Sequence, residues 1–316
     1  MTAQPIEMRK AIVTGGAGFI GSYITEGLVR RGYQVIIIDN LSSGKLSNIK
    51  SILNGKNVQL TQGSILNLPL MRQLFSGAEY VFHQAAITSV PRSVRSPRAT
   101  QTTNATGTLN VLIAARDSGV KKVIYASSSA VYGDTPAPVQ KEDLPPNPLS
   151  PYAVTKLAGE FYNKVFHELY GIGAVSLRYF NVYGPRQDPN SAYAAVIPVF
   201  ISRVLSGKAP IIYGDGEQTR DFIFVKDVAE ANIQAAESGA SGAINIGSGT
   251  SVTINNLAQL IIKLAGKGKI RPVYKEARPG DIVHSLSDIT RAKAFGFSPG
   301  YSLEDGLKEY IDYMSA

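Results

Sequence analysis

The chain has 316 residues, 44% hydrophobic and 18% charged, a composition typical of one large or two modest globular domains and not of a disordered or fibrous protein. It has no cysteine, which excludes disulfides and thiol catalysis, and no stretch approaches the roughly 20 apolar residues of a membrane span. The net charge is +8, but the basic residues are scattered, so we expect no nucleic-acid and no membrane partner and favour a small phosphate-bearing substrate. Residues 1–7 are polar and lack the apolar core of a signal peptide, so we expect a cytoplasmic protein.

The first half of the chain alternates short apolar strands with amphipathic helices. The pattern predicts strands at 10–14, 34–38, 58–62, 80–83, 122–126 and 174–180. It predicts helices at 20–32, 68–76 and 98–118, and one that begins at Pro151 or Tyr152 and ends by Gly171. Such alternation is typical of a parallel sheet covered on both faces, so we predict an α/β fold with a Rossmann-type doubly wound parallel sheet.

Prolines and glycines mark the remaining segments. Six prolines fall within 133–151, which predicts an extended loop. After Asn181, Pro- and Gly-rich turns separate short strands and helices, which indicates a smaller mixed α/β substrate domain. We expect a dinucleotide-binding domain at 8–181, joined by part of 221–247, and a substrate domain over most of 182–316.

The turn between the first strand and the first helix is rich in glycine. Gly15, Gly18 and Gly21 fit GxxGxxG, and without Cβ atoms the backbone there can approach a pyrophosphate at the helix N-terminus. Asp39 ends the second strand, where a carboxylate can accept hydrogen bonds from both adenosine ribose hydroxyls and repels a 2′-phosphate. The alternative, a plain strand–helix turn followed by a capping aspartate, explains fewer of these features. The sequence therefore predicts NAD rather than NADP as the cofactor.

A tyrosine and a lysine four residues apart, Tyr152 and Lys156, follow a serine run that contains Ser128. On a helix, residues i and i+4 share a face. A tyrosine with its ordinary pKa near ~10 is a poor base at neutral pH, but a neighbouring ammonium lowers that pKa. Alone, such a pair is more often an ordinary surface feature. After a dinucleotide loop it predicts the acid/base centre of a nicotinamide enzyme.

Other polar residues are assigned structural roles. His83, His167 and His284 have no metal-ligand spacing, so we interpret them as structural or surface histidines and predict no metal site. Asn104, in the long helix, is interpreted as a buried polar group that bonds nearby backbone. Small residues after the fourth strand would let a cofactor lie across the strand ends.

Taken in order, these motifs resemble those of the extended short-chain dehydrogenase/reductases that act on nucleotide-sugars, specifically the UDP-hexose 4-epimerases. The resemblance covers nearly all of residues 8–316. It rests on Gly15–Gly21, Asp39 and Asn40, Ser127–Gly133, Tyr152 with Lys156, Arg178–Pro185, Arg220–Phe222 and Arg278–Asp281.

The resemblance implies a role for each matching residue. Tyr152 would take the proton of the sugar 4-hydroxyl, Lys156 would bond the nicotinamide ribose, and Ser128 would bond the same sugar oxygen. The cofactor set is Gly15, Gly18, Phe19, Ile20, Gly21, Asp39, Asn40, Ser43, Gly44, Ser64, Ile65, Gln84, Ala85, Ala86, Asn104, Tyr152, Lys156 and Tyr179. The substrate set is Thr88, Ser128, Asn181, Ala195, Val196, Arg220, Arg278, Asp281 and Ser285, in which the two arginines neutralise the diphosphate and Asp281 holds the uridine ribose.

The reaction implied is inversion at C4 of a UDP-hexose through a 4-keto intermediate, with NAD kept bound throughout. Related 4,6-dehydratases carry an acidic pair where this chain has Ser129 and Ala130, and UDP-glucuronate decarboxylases keep a glutamate at the second position. UDP-glucuronate 4-epimerases usually have threonine where this chain has Asn181. A net nucleotide-sugar oxidoreductase and a non-catalytic sensor are further alternatives.

The sizes of the residues expected around the sugar predict which hexose is accepted. The segment 186–198 resembles the subgroup that handles N-acetylated UDP-hexosamines, and Ser285 is small at a position where a bulky residue would exclude the 2-acetamido group. Thr88 and Ala195 are also modest in size. We expect UDP-GlcNAc and UDP-GalNAc to be accepted, with UDP-Glc and UDP-Gal as a possible second pair.

Two further expectations follow from the resemblance. Ser64 stands where the family usually places an aspartate in the adenine pocket, so its bond to the adenine amine would be weaker. In the family, helices corresponding to 98–118 and 152–170 commonly pair across a homodimer.

Overall fold

The computed structural model describes residues 8–188, 195–277 and 283–315. The chain forms two compact units. The first takes in the described residues up to Ser127 together with Ser150–Leu177 and Ala229–Ala243. The second takes in Ser128–Leu149, Arg178–Val228 and the described residues from Ile244 onward. Which unit binds which ligand stays a prediction.

The strands in the described residues are β1 (Lys10–Thr14), β2 (Gln34–Asp39), β3 (Val58–Gln62), β4 (Tyr80–His83), β5 (Lys122–Ser128), β6 (Gly173–Tyr179), β7 (Asn181–Tyr183), β8 (Ile211–Tyr213), β9 (Thr219–Arg220), β10 (Phe222–Phe224), β11 (Gly242–Ile246), β12 (Val252–Thr253) and β13 (Val273–Lys275). The α-helices are α1 (Phe19–Arg30), α2 (Lys50–Leu53), α3 (Leu68–Phe75), α4 (Val90–Arg95), α5 (Pro97–Gln101), α6 (Gly107–Asp117), α7 (Pro151–Tyr170), α8 (Val196–Leu205), α9 (Val225–Glu237), α10 (Ile254–Leu264), α11 (Thr290–Ala294) and α12 (Leu303–Ser315). Short 3-10 turns lie at Leu46–Asn48 and Ser129–Tyr132, and a π turn at Thr102–Thr106 joins α5 to α6.

The first unit is built on a seven-stranded sheet with the order β11-β6-β5-β4-β1-β2-β3. β1 pairs in parallel with both β2 and β4, and the chain order reverses on the two sides of β1. In open α/β sheets, ligands bind outside the carboxyl ends of the strands at such a reversal. The predicted Rossmann-type doubly wound sheet is confirmed, and β11 extends it by one strand.

Helices cover the sheet because their apolar stripes match its buried strands. Phe75 of α3 and Leu112 of α6 are buried in one cluster with Ile12 of β1 and Val81 of β4. Burying a side chain of this size stabilises a fold by about 1.5–3 kcal/mol. This packing fixes the strand ends that carry the cofactor loops.

The helix α7 has clear start and stop signals. Ser150 caps it, because its hydroxyl accepts a hydrogen bond from the Ala153 amide, and Pro151 occupies the first helical position. Gly171 ends it in the left-handed conformation, at φ +70°, and donates its amide to the His167 carbonyl. The predicted bounds of this helix are confirmed.

The second unit contains paired short strands and three packed helices. β7 pairs with β10 and β8 with β13 in parallel, while β9 and β12 pair antiparallel. Phe200 of α8, Leu257 of α10 and Leu307 of α12 lie in one buried cluster. Residues 134–150 form no helix and no strand beyond an isolated bridge between Gln140 and Ser287, which confirms the predicted loop.

Across the described ranges, none of the helices combines the length and the apolar character that spanning a membrane requires.

Candidate active site

The glycine-rich turn after β1 forms a cradle that side chains would fill. Gly15 has φ +70°, and a Cβ placed on it would lie 2.8 Å from the Ala85 nitrogen. A Cβ on Gly21 would overlap the Gly15 carbonyl oxygen, which accepts the Gly18 amide at 3.0 Å. Gly18 is the N-cap of α1 and has no side chain with which to cap the first amides of the helix. The turn therefore fits a pyrophosphate lying against the start of α1.

Asp39 is buried at the end of β2, beside this turn. Its Oδ2 accepts a hydrogen bond from the Ala17 amide at 3.0 Å and its Oδ1 accepts one from the Leu41 amide at 2.8 Å. A Cβ on Gly44 would lie 2.7 Å from Oδ2, so the loop that carries Gly44 passes directly against the Asp39 carboxylate. A carboxylate has about four acceptor positions, so both ribose hydroxyls can still bond to Asp39.

Asn48 holds the glycine turn from the other side, and the sequence pattern did not indicate it. Its side-chain Nδ2 donates to the Ala17 carbonyl at 2.9 Å, and the Lys45 amide donates to the same oxygen at 2.9 Å. Asn48 lies in a polar loop without a motif, so no local signal distinguished it.

His83 joins three elements through its two ring nitrogens. Nδ1 lies 2.7 Å from the Thr14 hydroxyl at the end of β1, and Nε2 lies 2.9 Å from the Thr108 hydroxyl of α6. Burial, with a smaller effect of the Lys156 charge, lowers the pKa of His83 to about 3. The ring therefore stays neutral and serves the structural role that the sequence indicated.

Asn104 lies in the π turn and holds the segment after β4. Its Oδ1 accepts the Ile87 amide at 2.8 Å, and its Nδ2 donates to the Ile87 carbonyl at 3.0 Å and to the Thr155 hydroxyl at 3.1 Å. Both amide N–H bonds are thus used within the protein. Asn104 shapes the loop that carries Ala85, Ala86 and Thr88, and its direct contact with the cofactor stays a prediction.

Ser64 and Ile65 lie in the turn after β3. The Ser64 hydroxyl accepts a hydrogen bond from the Leu66 amide at 3.2 Å, and the Ile65 carbonyl accepts the Asn110 side-chain amide at 3.1 Å. Ile65 is buried against Gly107 of α6. A hydroxyl oxygen can accept two hydrogen bonds, so Ser64 keeps one acceptor position, which is what a weak bond from an adenine amine requires.

The other residues assigned to the cofactor have these places in the chain. Phe19 and Ile20 open α1, Asn40 and Ser43 are exposed in the loop after β2, Gln84 follows β4 with its amide bonded to the Thr14 carbonyl, and Tyr179 is buried at the end of β6.

Tyr152 and Lys156 lie on the buried face of α7. The Tyr152 backbone amide donates to the Ser93 hydroxyl at 3.1 Å, which ties the start of the helix to α4. The Lys156 Nζ donates to the Ala126 carbonyl of β5 at 2.7 Å and lies 5.8 Å from the centre of the Tyr152 ring. Burial lowers the pKa of Lys156 to about 7. The structure thus places an ammonium close to a phenol, as the helical spacing predicted.

Further contacts between β5 and α7 fix this pair, and sequence reasoning missed them. The Tyr125 hydroxyl donates to the Lys156 carbonyl at 3.3 Å, and a Cβ on Gly159 would overlap that hydroxyl. The Ser127 hydroxyl donates to the buried carboxylate of Glu160 at 2.5 Å. The available signal was spacing, because Glu160 continues the series of Tyr152 and Lys156 at every fourth residue.

Within the second unit, three residues assigned to the substrate lie on β7, on β9 and beside β9. The Asn181 amide and its side-chain Nδ2 both donate to the Asp221 carbonyl at 3.0 Å. Arg220 Nη1 donates to the Thr219 carbonyl at 2.9 Å, and the buried Ser285 donates its amide to that same carbonyl at 3.2 Å. Asn181, Arg220 and Ser285 therefore share one small hydrogen-bonded framework.

Ser128 begins the 3-10 turn in the second unit, and its hydroxyl accepts the Ala130 amide at 3.2 Å. Ala195 is exposed as the N-cap of α8, and Val196 is the first residue of that helix. Arg278 and Asp281, assigned to the diphosphate and the uridine ribose, lie outside the described residues. In the part of the chain that is described, acidic and histidine side chains form no group of three suited to a metal ion.

A doubly wound sheet, a glycine cradle with an aspartate after the second strand, and a buried Tyr–Lys pair define an NAD-dependent enzyme of the extended short-chain dehydrogenase/reductase class. Residues 11–247 match the model of the NAD dependent epimerase/dehydratase family, and the chain belongs to this family. Its cofactor is NAD.

Relatives of known structure and sequence match over nearly the whole chain. A UDP-N-acetylglucosamine 4-epimerase from Methanobrevibacter ruminantium, solved with UDP-N-acetylmuramic acid, is 45% identical with a TM-score of 0.94, covering 98% of this chain and 99% of its own. A UDP-glucose 4-epimerase from Thermotoga maritima, solved with UDP-glucose, is 41% identical with a TM-score of 0.91, covering 97% and 98%. The UDP-glucose 4-epimerase of Mycolicibacterium smegmatis is 37% identical over 96% of this chain and 98% of its own.

Proposed function

We propose that this protein inverts the configuration at C4 of a UDP-hexose by transient oxidation to a 4-keto sugar. The buried Tyr152–Lys156 pair is the observation on which the proposal depends. Several similar members of the family are UDP-sugar 4-epimerases, which supports it.

Tyr152 acts as the base and later as the acid. Its phenolate takes the proton of the sugar 4-hydroxyl as the C4–H bond breaks, and it returns that proton after the keto sugar has turned its other face. Lys156, held by the Ala126 carbonyl, stabilises the phenolate through its positive charge. Bound NAD supplies the hydride acceptor and the hydride donor at C4. Because both transfers are reversed within one turnover, the reaction has no net redox change.

Reactions that need a second acid/base group are disfavoured. Ser129 and Ala130 occupy the positions after Ser128, at the start of the 3-10 turn. A hydroxyl and a methyl group cannot deprotonate C5 or protonate a leaving 6-hydroxyl at neutral pH, whereas a carboxylate pair can. This favours epimerisation over dehydration and decarboxylation.

The preferred substrates are UDP-GlcNAc and UDP-GalNAc, with UDP-Glc and UDP-Gal as a second pair. The small size of Ser285 supports room for a 2-acetamido group. The neighbour from Methanobrevibacter ruminantium, at 45% identity, is a UDP-N-acetylglucosamine 4-epimerase. Asn181, where UDP-glucuronate 4-epimerases usually have threonine, counts against a uronate substrate.

Product analysis tests this function. Purified protein is incubated separately with UDP-GlcNAc, UDP-GalNAc, UDP-Glc and UDP-glucuronate, without added cofactor, and the products are separated chromatographically. We expect interconversion of the acetylated pair. Turnover of only the non-acetylated sugars would refute the size argument at Ser285, and a stoichiometric need for NAD(P)H would identify a net oxidoreductase.

We further propose that the protein is a homodimer through α7. An apolar stripe of Val154, Phe161, Val165 and Leu169 recurs at helical spacing and is exposed, Phe161 by 57% and Leu169 by 70%. A second copy of this surface is a self-complementary partner for the stripe.

Sedimentation of a Phe161→Glu variant tests the dimer, with Lys164→Ala, at an exposed polar position of α7 outside the apolar stripe, as the control. We expect a dimer for the wild type and the control and a monomer for Phe161→Glu. A monomeric wild type would refute the proposal.

A further inference from the structure

Asp221 is a fully buried carboxylate of the second unit, placed between β9 and β10. Its Oδ1 accepts the Ser248 amide and the Ser248 hydroxyl, both at 2.7 Å. Its Oδ2 accepts the Gly249 amide at 3.2 Å, the Ser287 amide at 3.1 Å and the Ser287 hydroxyl at 2.5 Å. Five hydrogen bonds thus converge on one side chain.

Such a concentration of donors marks a junction of chain segments. An ionised carboxylate is costly to bury unless its oxygens are hydrogen-bonded, and these donors meet that requirement. They come from two segments, 247–249 and 285–287, that are distant from Asp221 in sequence. A Cβ on Gly247 would lie 2.8 Å from Oδ2, so the first segment passes directly against the carboxylate.

Three residues assigned to the substrate lie next to Asp221 or next to a segment that it holds. The backbone carbonyl of Asp221 accepts hydrogen bonds from both the backbone amide and the side-chain amide of Asn181. These two bonds set the orientation of the Asn181 side chain. Ser287 is two residues from Ser285, whose own amide bonds to the Thr219 carbonyl. Arg220 is the preceding residue in the chain.

We propose that Asp221 is a positioning residue for the diphosphate and sugar of the substrate. It does not touch the reacting atoms; it holds Asn181, Arg220 and the segment of Ser285 in one arrangement. This inference rests on the proposed function, because it assumes that these three residues bind a UDP-sugar. It predicts that neutralising Asp221 weakens and relaxes substrate recognition without affecting NAD.

A second buried carboxylate of the same unit provides a matched control. Asp227 accepts the Gly300 amide at 2.9 Å and the Tyr301 amide at 3.1 Å, and these partners lie away from the residues assigned to the substrate in sequence. Asp221→Asn and Asp227→Asn make the same chemical change, so a merely structural role predicts similar effects for both.

The experiment compares wild type, Asp221→Asn, Asp227→Asn and the milder Ser287→Ala. The readouts are kcat and KM for UDP-GlcNAc and UDP-Glc, the Kd for UDP-GlcNAc by calorimetry, the bound NAD content and the melting temperature. We expect Asp221→Asn to raise KM and Kd about 10-fold or more and to change the ratio of kcat/KM for the two sugars by at least about 3-fold. Ser287→Ala should shift the same quantities in the same direction by about 3-fold. Asp227→Asn should lower the melting temperature while leaving KM and the sugar ratio near wild type.

The proposal is overturned if Asp221→Asn keeps the wild-type Kd and sugar ratio, or if Asp227→Asn changes them equally. Should Asp221→Asn fail to fold, Ser287→Ala decides, and an unchanged Kd in that variant overturns the proposal. Failure of the proposed function is distinguishable, because a wild type that binds UDP-GlcNAc but turns over no UDP-sugar refutes the reaction while the Kd comparison still tests Asp221.

Discussion

Lys156 has a proposed role in catalysis, and its burial has an energetic cost for the fold. Its ammonium is buried on α7, and one hydrogen bond to the Ala126 carbonyl replaces part of the water it loses. Burial lowers its pKa from the ordinary value of 10.5 to about 7. The charge that Lys156 presents to Tyr152 therefore depends on pH in the neutral range.

This burial predicts a pH dependence of stability. Between pH 7 and 10.5 the unfolded chain holds a proton at Lys156 that the folded chain has released, so the free energy of unfolding rises with pH by about 1.4 kcal/mol per unit. Below pH 7, Lys156 is protonated in both the folded and the unfolded chain, and the buried ammonium lowers the free energy of unfolding by its full amount. Compared with Lys156→Met in urea unfolding, the wild type should gain stability as the pH rises through this window.

Lys122 provides the comparison for that measurement. Burial lowers its pKa to about 8. The stability difference between wild type and Lys122→Met should therefore rise with pH in the same way, over a window that begins about one unit higher. A difference between wild type and Lys156→Met that does not change with pH would refute the buried ammonium.

Tyr152→Phe tests the proton transfer. The variant keeps the ring and removes the hydroxyl, so we expect kcat to fall by about 10²–10⁴-fold. Bound NAD should be unchanged, because the glycine turn and Asp39 are untouched. Tyr162→Phe, at a partly exposed position of the same helix, should retain full activity. Turnover of Tyr152→Phe within a few fold of wild type would rule out the assignment.

At the scale of elements, the β1–α1 turn is the part of the fold that was predicted best from the sequence alone. Its strand, glycines and helix were predicted from local spacing, and the structure gives β1 and α1 within two residues of those bounds. The reason is steric and local, since Gly21 can carry no Cβ beside the Gly15 carbonyl. The Asn48 bond to Ala17 spans 31 residues and left no local pattern to detect.

Gly21→Ala should disrupt both the turn and the cofactor site. Its methyl group would overlap the Gly15 carbonyl oxygen, so we expect a loss of about 1–3 kcal/mol in stability and loss of copurifying NAD. Gly239→Ala is the control, because a Cβ there has no atom within 4 Å among the described residues. Thermal unfolding and the NAD released on heating measure both effects. Full NAD content in Gly21→Ala would contradict the proposed cradle.

For helix α7 as well, features set by neighbouring residues were predicted, and contacts with distant residues were not. Pro151 and Gly171 marked its ends, and helical spacing placed Tyr152 with Lys156. The cap by Ser150 was not predicted. The three contacts from β5 were missed, because they join residues 30 or more positions apart. The π turn in which Asn104 bonds to Ile87 was also missed. The helical pattern over 98–118 continues through it and predicted one uninterrupted helix.

At the scale of the whole molecule, periodicity predicted the sheet but not the hydrogen-bonded framework of the second unit. The parallel sheet follows from apolar strands alternating with helices, which each segment encodes by itself. The framework around Asp221 depends on Ser287, 66 residues away, and only the folded chain brings them together. The family's motif included Asp221 without indicating what its carboxylate holds.

The proposed cycle requires that the hydride removed from C4 return to the same carbon within one enzyme molecule. UDP-GlcNAc carrying deuterium at C4 is incubated with the purified protein, without added NAD, and the epimer is isolated and examined by mass spectrometry and NMR. We predict a product that retains the deuterium at C4 and gains none from solvent. Formation of the epimer with the label lost to water, or no epimer from any UDP-hexose, would contradict the account.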